Sequence, residues 1–295
     1  MKTYLDCVPC FVRQAIDGCR LFTDDQEIHE KAVREVLRMA SEMDLDQNPP
    51  AMGKEIHRLL RELTGIRDPY EDIKKHFNEL AMSWYPKLKK RVENADDPLE
   101  MAVRLAIAGN IIDFGVQASI ENDMVESTVE ECVTGEFDHH LVEELAAAYA
   151  DADSVLYLGD NAGEIVFDRI LIEQLGPEKI TFAVRGGPII NDITMVDAEY
   201  AGLTGIVEVI DNGDNAPGTI LQSCSESFRD HFNRADMVIA KGQGNYETLS
   251  EVDKDVFFVL KAKCPMIAHH LGCEVGRMIF QRSSGRYKDR AVLES

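Results

Sequence analysis

The sequence has 295 residues, 45% of them hydrophobic, which is enough to build the core of one large domain or two modest ones. Its 31 basic and 53 acidic residues give a formal net charge of −22. This charge argues against a nucleic-acid partner, because nucleic-acid phosphates are bound mainly by basic side chains. No apolar run approaches the roughly 18 residues that cross a membrane, so we expect no membrane association.

The amino-terminus and the cysteines indicate the compartment. The first six residues, MKTYLD, are too polar for a signal peptide. Seven cysteines at irregular spacing are not typical of a disulfide framework. We therefore expect the protein in a reducing cytoplasm.

Residues 1–147 have the pattern of a helical domain. From about residue 10 onward, apolar residues recur at spacings of three and four, as at Val33, Val36 and Leu37, and proline-containing segments separate the helices. A segment at about 101–120 is apolar on almost every side, which predicts a buried helix. We expect the last helices of this domain to pack against the domain that follows.

Residues 148–295 alternate between strand-like and helix-like patterns. Short apolar runs typical of buried strands occupy residues 155–158, 180–184, 206–210, 237–240 and 256–260. Helical patterns separate several of them, as at residues 164–175 and 218–234. Such alternation predicts βαβ units and a mostly parallel sheet, so the fold class is α/β.

A polar, glycine-containing segment follows each of the first four apolar runs. These segments are residues 159–164, 185–192, 211–219 and 241–247. Because the carboxyl ends of parallel strands share one edge of a sheet, we expect the four segments to converge there. One such turn is weak evidence for a site, whereas four converging turns favour an active site.

The side chains in these segments divide by charge. Asp160, Asn161 and Asp192 offer the hard oxygen ligands that Mg²⁺ or Mn²⁺ prefers. Arg185 and Lys241 supply cations suited to an anionic oxygen such as phosphate. A metal, cations and turns with exposed backbone amides together suit phosphoryl transfer to water.

Each of these segments also has a structural interpretation. Asp160 or Asn161 can cap a helix, with Glu164 favouring its positive end, and Asp192 can belong to an ordinary turn. Only their convergence favours function. Other glycine-rich sites fit less well, because the Gly-x-Gly-x-x-Gly, phosphate-loop and Gly-x-Ser-x-Gly patterns are missing from the relevant positions.

The same segments resemble a known family. The motifs are Cys7-x-x-Cys10, the segments 109–113 (GNIID) and 160–164 (DNAGE), the Asn191-Asp192 pair and the segment 241–247 (KGQGNYE). With them the chain resembles the damage-control phosphatases, also catalogued as domain of unknown function 89, whose eukaryotic members include a proposed acidic-residue methyltransferase. The Cys-x-x-Cys start is similar to the prokaryotic branch. The resemblance covers nearly the whole chain.

The resemblance implies a metal-dependent phosphatase with a three-layer α/β/α domain and a helical amino-terminal domain. The family's metal ligands correspond to Asp160, Asn161 and Asp192. Its substrate-phosphate lysine corresponds to Lys241, and Asn245 and Glu247 lie in the same motif as candidate pocket residues.

Two polar residues precede these motifs on a predicted helix. Asn110 and Asp113 are three residues apart and hence lie on one helix face. They are candidates for contacts that support the site or the substrate. A pair of helix polar groups satisfied internally is an equally good interpretation.

The Cys7-x-x-Cys10 pair has half the ligands of a zinc site. Cys19, Cys264, Cys273 or a histidine would complete it only through the fold. We favour a role in structure or packing, with an accessory metal or redox role as the alternative. A thioredoxin-like role is poorly supported, because the pair does not follow a strand.

The resulting hypothesis is a phosphatase that acts on small phosphorylated metabolites, either sugar phosphates or damaged cofactor phosphates, with Mg²⁺, Mn²⁺, Co²⁺ or Ni²⁺. Lys241 and Arg185 would neutralise charge, and Asp192 or Glu164 would orient the attacking water. Asp160 as a covalent nucleophile is a less simple assignment.

Two other functions stay open at this point. One is an S-adenosylmethionine-dependent carboxyl methyltransferase, and the other is a non-catalytic, metal-dependent binder of phosphorylated ligands. The sequence does not indicate the natural substrate, the preferred metal or the oligomeric state.

Overall fold

The amino-terminal part of the chain is helical, as the sequence predicts. The computed structural model describes residues 1–111, 122–135, 137 and 139–284. Its first three helices are α1 (Cys7–Phe22), α2 (Gln26–Glu42) and α3 (Pro49–Thr64). Asp25 and Asn48 cap α2 and α3 by accepting from backbone amides of their first turns. These three helices share a small apolar core of their own, around Phe11 and Ile56.

The next four helices lie against the second half of the chain. They are α4 (Glu71–Glu93), α5 (Pro98–Ile111), α6 (Asn122–Thr134) and α7 (His139–Asp151). The predicted buried helix at 101–120 corresponds to α5 in its described part, and residues 112–121 lie outside the described residues. Buried side chains of α4 and α5, such as Phe77 and Ile107, belong to the same core as the strands.

The second half is a mixed sheet flanked by helices. Its strands in the described part are β1 (Val155–Leu158), β2 (Ile180–Val184), β3 (Glu208–Asp211), β4 (Met237–Lys241), β5 (Asp255–Lys261) and β6 (Met278–Ser284). The helices that follow the first five are α8 (Glu164–Leu175), α9 (Met195–Tyr200), α10 (Glu226–Arg234), α11 (Gly242–Leu249) and α12 (Pro265–Leu271). The strand order is β3-β2-β1-β4-β5-β6. All neighbours are parallel except β5 and β6.

The sheet has an apolar core on each face. Tyr157 and Phe182 contribute to the core shared with α4, α5 and α8, while Leu156 and Phe258 belong to a second core with α10, α11 and α12. Alternate residues of a strand point to opposite faces, so β1 contributes to both. The predicted α/β class and mostly parallel sheet are confirmed. Because α4–α7 share a core with the sheet, the division at residues 147 and 148 stays a prediction.

Three details differ from the sequence prediction. The strand expected at 206–210 is β3, shifted to Glu208–Asp211, and the antiparallel edge strand β6 was not predicted. The helix expected at 218–234 begins only at Glu226. The residues before it form a loop against α11, where the Thr219 amide donates to Thr248 Oγ1 at 3.1 Å, and Ser225 then caps α10.

The connection pattern places a crevice between β1 and β4. The chain runs outward from β1 to β2 and β3, then returns to β4 on the other side of β1. In open α/β sheets, ligands bind outside the carboxyl ends of the strands at such a reversal. Separately, none of the helices in the described residues combines the length and hydropathy of a membrane span.

Candidate active site

The turn after β1 and the loop after β2 meet at this crevice. Asp160 and Asn161 directly follow β1, and Asn161 forms an isolated antiparallel bridge with Asp192. The Ile193 amide donates to the Asp160 carbonyl at 2.9 Å, and the Ala162 amide donates to the Asn191 carbonyl at 2.9 Å. Backbone pairing therefore holds the three predicted metal ligands side by side.

A glycine of the neighbouring strand end makes room for Asp160. Gly242 begins α11 with a φ of 80°, a conformation that favours glycine. A Cβ built on it would lie 1.8 Å from Asp160 Oδ2. The backbone after β4 thus comes directly against the carboxylate after β1, which no larger residue permits.

Amides and a second carboxylate surround Asp160. Asn161 Nδ2 donates to Asp160 Oδ2 at 2.7 Å and to Glu164 Oε2 at 3.1 Å. Asn110 Nδ2 donates to Asp160 Oδ2 at 3.2 Å and to both Glu164 oxygens at 3.1 Å. The Asn110 Oδ1 atom accepts from the Lys261 amide at 3.0 Å. Asn110 of α5 therefore connects β5 with the carboxylates, while Asp113 lies outside the described residues.

Negative charge is concentrated where water has little access. Burial, reinforced by the Glu164 and Asp192 carboxylates, raises the pKa of Asp160 well above its ordinary value. Burial also raises the pKa of Asp192, although Arg185 opposes the shift. Carboxylates that repel one another at such a site favour a bound cation.

Arg185 lies against two of the predicted metal ligands. Its Nε donates to Asp192 Oδ2 at 2.7 Å, and one terminal nitrogen lies 3.9 Å from Asp160 Oδ1. The guanidinium also donates to Thr219 Oγ1 at 3.2 Å and to Asn245 Oδ1 at 3.3 Å. Arg185 is almost fully buried, so these contacts fix its position at the crevice.

Asn245 of α11 joins several strand ends. Its Nδ2 donates to the Lys241 carbonyl at 2.7 Å and to the Gly159 carbonyl at 3.3 Å. Its Oδ1 accepts from Thr219 Oγ1 at 2.8 Å and from Arg185. Asn245 is completely buried, so the structure gives it a role in holding the crevice together.

Lys241 lies deeper than the sequence hypothesis places it. Its Nζ forms an ion pair with Glu164 Oε1 at 2.7 Å, donates to Asp168, and donates to the Ala106 carbonyl of α5 at 3.0 Å. Burial alone would lower the pKa of Lys241, but Asp168 and Glu164 raise it above its ordinary value. Lys241 is fully buried and lies behind Glu164. Its role as a phosphate ligand stays a prediction.

Two residues at the site, Asp168 and Asn78, were not predicted from the sequence. Asp168 accepts from Tyr157 at 2.7 Å, and its other oxygen has no hydrogen-bond partner among the described residues. Burial raises the pKa of Asp168 to about 6. Its spacing of four from Glu164 on one helix was an available signal. No sequence signal links Asn78 of α4 to the site, although its Oδ1 accepts from the Gly163 amide at 2.8 Å.

The Glu247 side chain pairs with another residue of its own helix. Its Oε1 accepts from Gln243 Nε2 at 2.8 Å, and burial raises the pKa of Glu247 to about 7. The hydrogen bonds of the described residues do not connect Glu247 to Asp160 or Asp192. Its predicted role in substrate binding stays a prediction.

The residues at the crevice fit a divalent metal. Asp160, Asn161 and Asp192 bring two carboxylates and an amide to one place, and all three side chains offer hard oxygen atoms. An added Cβ on Gly242 would clash with the Asp160 carboxylate, so the missing side chain leaves room for that ligand. The donor set therefore suits Mg²⁺, Mn²⁺ or a similar ion better than a metal that prefers sulfur.

Residues 3–279 match the family described as the damage-control phosphatase ARMT1-like domain. Among curated proteins, the chain is 35% identical to a damage-control phosphatase of Pyrococcus horikoshii, covering 96% of this chain and 99% of that protein. It is 36% identical to a damage-control phosphatase of Archaeoglobus fulgidus, covering 95% and 98%. An uncharacterized protein of Methanocaldococcus jannaschii is 36% identical, with 94% of each chain covered.

A solved structure has the same architecture. The crystal structure of a DUF89 family protein from Pyrococcus horikoshii is 34% identical and superimposes with a TM-score of 0.86. The match covers 96% of this chain and 99% of that one. Both the helical part and the sheet are therefore shared.

Proposed function

Because this chain belongs to the damage-control phosphatase ARMT1-like domain family, we propose that it is a metal-dependent phosphatase acting on small phosphorylated metabolites. The observation that carries the proposal is the cluster of Asp160, Asn161, Asp192 and Arg185 at the crevice between β1 and β4. A site of acidic oxygen donors beside a buried guanidinium suits a metal ion and a phosphoryl group together.

Asp160, Asn161 and Asp192 would hold the metal. When bound, a divalent cation polarises phosphoryl oxygens and lowers the pKa of a coordinated water. Asp160 is held against Gly242 and within reach of Asn110 and Asn161, so its carboxylate has a fixed direction. Holding ligands rigidly in this way lowers the cost of reorganisation during the reaction.

The cations of the site have different tasks in this proposal. Arg185 lies between Asp160 and Asp192 and would neutralise the charge of the phosphoryl group. Lys241 pairs with Glu164 and Asp168, and thereby positions Glu164 close to Asp160. Glu164 or Asp192 would accept the proton of the attacking water.

The helical region limits the size of the substrate. Lys54 of α3 pairs with Asp214 in the loop after β3 at 2.5 Å, and Arg61 donates to the Pro188 carbonyl in the loop after β2 at 3.2 Å. These contacts bring α3 over the strand ends. A covered crevice suits sugar phosphates or phosphorylated cofactor fragments and excludes bulk water.

The test is phosphate release from a panel of sugar and cofactor phosphates. Metal-free protein receives Mg²⁺, Mn²⁺, Co²⁺ or Ni²⁺ in turn, and Asp160→Asn and Asp192→Asn variants are assayed in parallel. We expect metal-dependent release that falls by about 10² or more in both variants, since each removes a ligand charge. Metal binding measured by calorimetry should weaken in the same two variants.

Asp230→Asn is the matched control. Asp230 is an exposed aspartate on α10, so the same chemical change there should leave release unaffected. Equal release from all variants would contradict the site assignment. Binding of a phosphorylated ligand without release under any metal would instead support a non-catalytic binder.

A further inference from the structure

The Cys7-x-x-Cys10 pair plays no part in the proposed phosphatase site. Both cysteines lie in the first turn of α1 and, three residues apart, on the same face of the helix. Cys7 is half-buried and Cys10 is exposed. This spacing is that of a zinc-ligand pair, which needs two further donors from elsewhere in the fold.

The fold supplies a third cysteine and a carboxylate. Cys264 precedes the first turn of α12, and Gln243 Nε2 of α11 donates both to Cys264 Sγ at 3.8 Å and to Glu247 Oε1 at 2.8 Å. One amide group therefore contacts a thiol and a buried carboxylate from two different elements. Cys264 and Glu247 are close neighbours on the opposite side of α11 from Asn245.

The segment that leads into the amino-terminal cysteines lies near Cys264. The Cys7 amide donates to the Tyr4 carbonyl at 2.9 Å, and Tyr4 packs against the same apolar core as Cys264. Burial raises the pKa of the Cys10 thiol, and the charges of Cys264 and Glu247 raise it further. Burial likewise raises the pKa of Cys7, and Glu247, Cys264 and Cys10 all add to the shift. Four groups that become anionic as metal ligands thus lie within electrostatic reach of one another, although more than 200 residues separate α1 from α11.

The surroundings tie the amino-terminus to these elements. The amino group of Met1 donates to the Glu247 carbonyl at 2.7 Å, and the Lys263 amide donates to Gln243 Oε1 at 3.1 Å. The amino-terminus, six residues before Cys7, is therefore held against α11, and α11 is held against the turn before α12, by contacts independent of any cysteine. Such contacts bring together the segments that carry the three cysteines and Glu247, which we call the thiol cluster.

We propose that the thiol cluster, Cys7, Cys10 and Cys264 with Glu247, binds a Zn²⁺ ion. Three thiolates and a carboxylate form a four-donor set suited to tetrahedral zinc, whereas the Asp160 site offers only oxygen donors. In the described residues, no three of the four ligand atoms lie within 4.8 Å of one another. Zinc binding therefore draws the side chains together by rotation and displaces the thiol protons.

Another group of possible metal ligands has its atoms closer together than those of the thiol cluster, but it contains carboxylates and a histidine. Asp97, Glu100 and His139 have ligand atoms within 4.8 Å of one another. Glu100, however, already pairs with Arg104 at 2.7 Å and with His139 at 2.6 Å. This group is explained by its own ion pairs.

Zinc in the thiol cluster would cross-link elements that are distant in sequence. It would join α1 to α11, which follows β4, and to the start of α12, which follows β5. Gly242, next to Gln243, packs against Asp160. The proposed zinc therefore braces the backbone beside the phosphatase site without contacting substrate.

The experiment measures zinc content and a thiolate-specific signal. The full-length protein is purified without chelator, and its metals are measured by mass spectrometry. We expect about one zinc per chain. Replacement by Co²⁺ should give an intense thiolate-to-cobalt charge-transfer absorption, which the oxygen donors at Asp160 do not produce.

Single Cys7→Ser, Cys10→Ser and Cys264→Ser variants should each lose the zinc and the absorption. Cys273→Ser is the matched control, because Cys273 is also half-buried but its thiol is influenced by Arg277 rather than by the other cysteines. Asp160→Asn should keep both signals, so failure of the phosphatase assignment is distinguishable from failure of the zinc site.

If the serine variants do not fold, the wild-type protein can still show whether the cysteines bind zinc. Stepwise modification of its thiols with a mercurial should release the zinc into a colorimetric indicator. Wild-type protein without zinc and without the cobalt–thiolate absorption would overturn the proposal. A Cys7–Cys10 disulfide, detected as a mass lower by two hydrogens, would overturn it in favour of a redox pair.

Discussion

At the scale of single residues, the site depends on the contact between a glycine and a carboxylate. Gly242 has a φ of 80°, and an added Cβ would lie 1.8 Å from Asp160 Oδ2. We expect Gly242→Ala to displace the Asp160 carboxylate and to lower phosphate release by about 10²-fold, because a displacement of about 1 Å can cost that much. Steady-state kinetics with saturating metal, together with metal titration, would measure both effects.

Gly65→Ala is the control that distinguishes the clash with Asp160 from the strain of a positive φ. Gly65 has a similar φ of 74°, and among the described residues no atom beyond its chain neighbours lies within 4 Å of its added Cβ. The variant should lose about 1 kcal/mol of stability from the left-handed backbone and keep its activity. If both variants lost activity equally, a general loss of stability would explain the result and the contact with Asp160 would not.

The sequence predicted the site residues whose location follows from their place directly after a strand or in the loop after one. Asp160, Asn161 and Asp192 follow β1 and β2, and parallel strands bring such positions together. The orientation of Lys241 depends on Asp168 and on a carbonyl of α5. That contact spans 135 residues, so local pattern could place Lys241 at a strand end but could not show which way it points.

At the scale of elements, α4 caps α8. The residue before α8 is Gly163, which offers no side-chain cap of its own, and its amide instead donates to Asn78 Oδ1 at 2.8 Å. Asn78 Nδ2 in turn donates to Asp197 at 2.8 Å. We expect Asn78→Ala to lower the free energy of unfolding by about 1–3 kcal/mol, the cost of a buried amide left without a partner.

Urea denaturation would measure this change, with Asn94→Ala, at the residue directly after the same helix, as the control. Asn94 is exposed, and its Nδ2 donates to the nearby Lys90 carbonyl at 2.6 Å, so its replacement should change the free energy of unfolding by about 0.5 kcal/mol or less. Similar losses in the two variants would argue that the amide of Gly163 is satisfied in another way.

The elements predicted correctly are those with strong local patterns. Strands β1, β2, β4 and β5 each contain a nearly continuous apolar run, as is typical of buried parallel strands. Strand β6 (Met278–Ser284) contains Gln281, Arg282 and two serines, so its pairing with β5 is not visible in its composition. Residues 218–225 read as helical, but their contacts with α11 override that preference.

At the scale of the whole molecule, the net charge opposes the proposed substrate. The chain carries a formal charge of −22, whereas phosphomonoesters are anions. Arg185 is buried and already paired with Asp192 at 2.7 Å, so its field is largely cancelled at long range. The attraction of phosphate is therefore local, and the approach to the crevice is repulsive.

Added salt lowers kcat/KM for an enzyme that attracts its substrate electrostatically. For this protein we expect the opposite effect. The screening length falls from about 30 Å at 0.01 M salt to about 8 Å at 0.15 M. We expect kcat/KM for a phosphomonoester to rise by about 2- to 5-fold over this range, because salt weakens the repulsion before binding. The measurement is steady-state kinetics with sodium chloride as the variable and the divalent metal held at saturation.

The value of kcat serves as the internal control. Once the substrate is bound in the crevice, its contacts are short and shielded from salt, so kcat should stay nearly constant while KM falls. A kcat/KM that fell with salt would mean that positive charge at the rim, such as that of the exposed Lys263, which lowers the pKa of Asp160, outweighs the net charge of the molecule. Substrate capture would then be set by the rim, and a Lys263→Gln variant should restore the rise with salt.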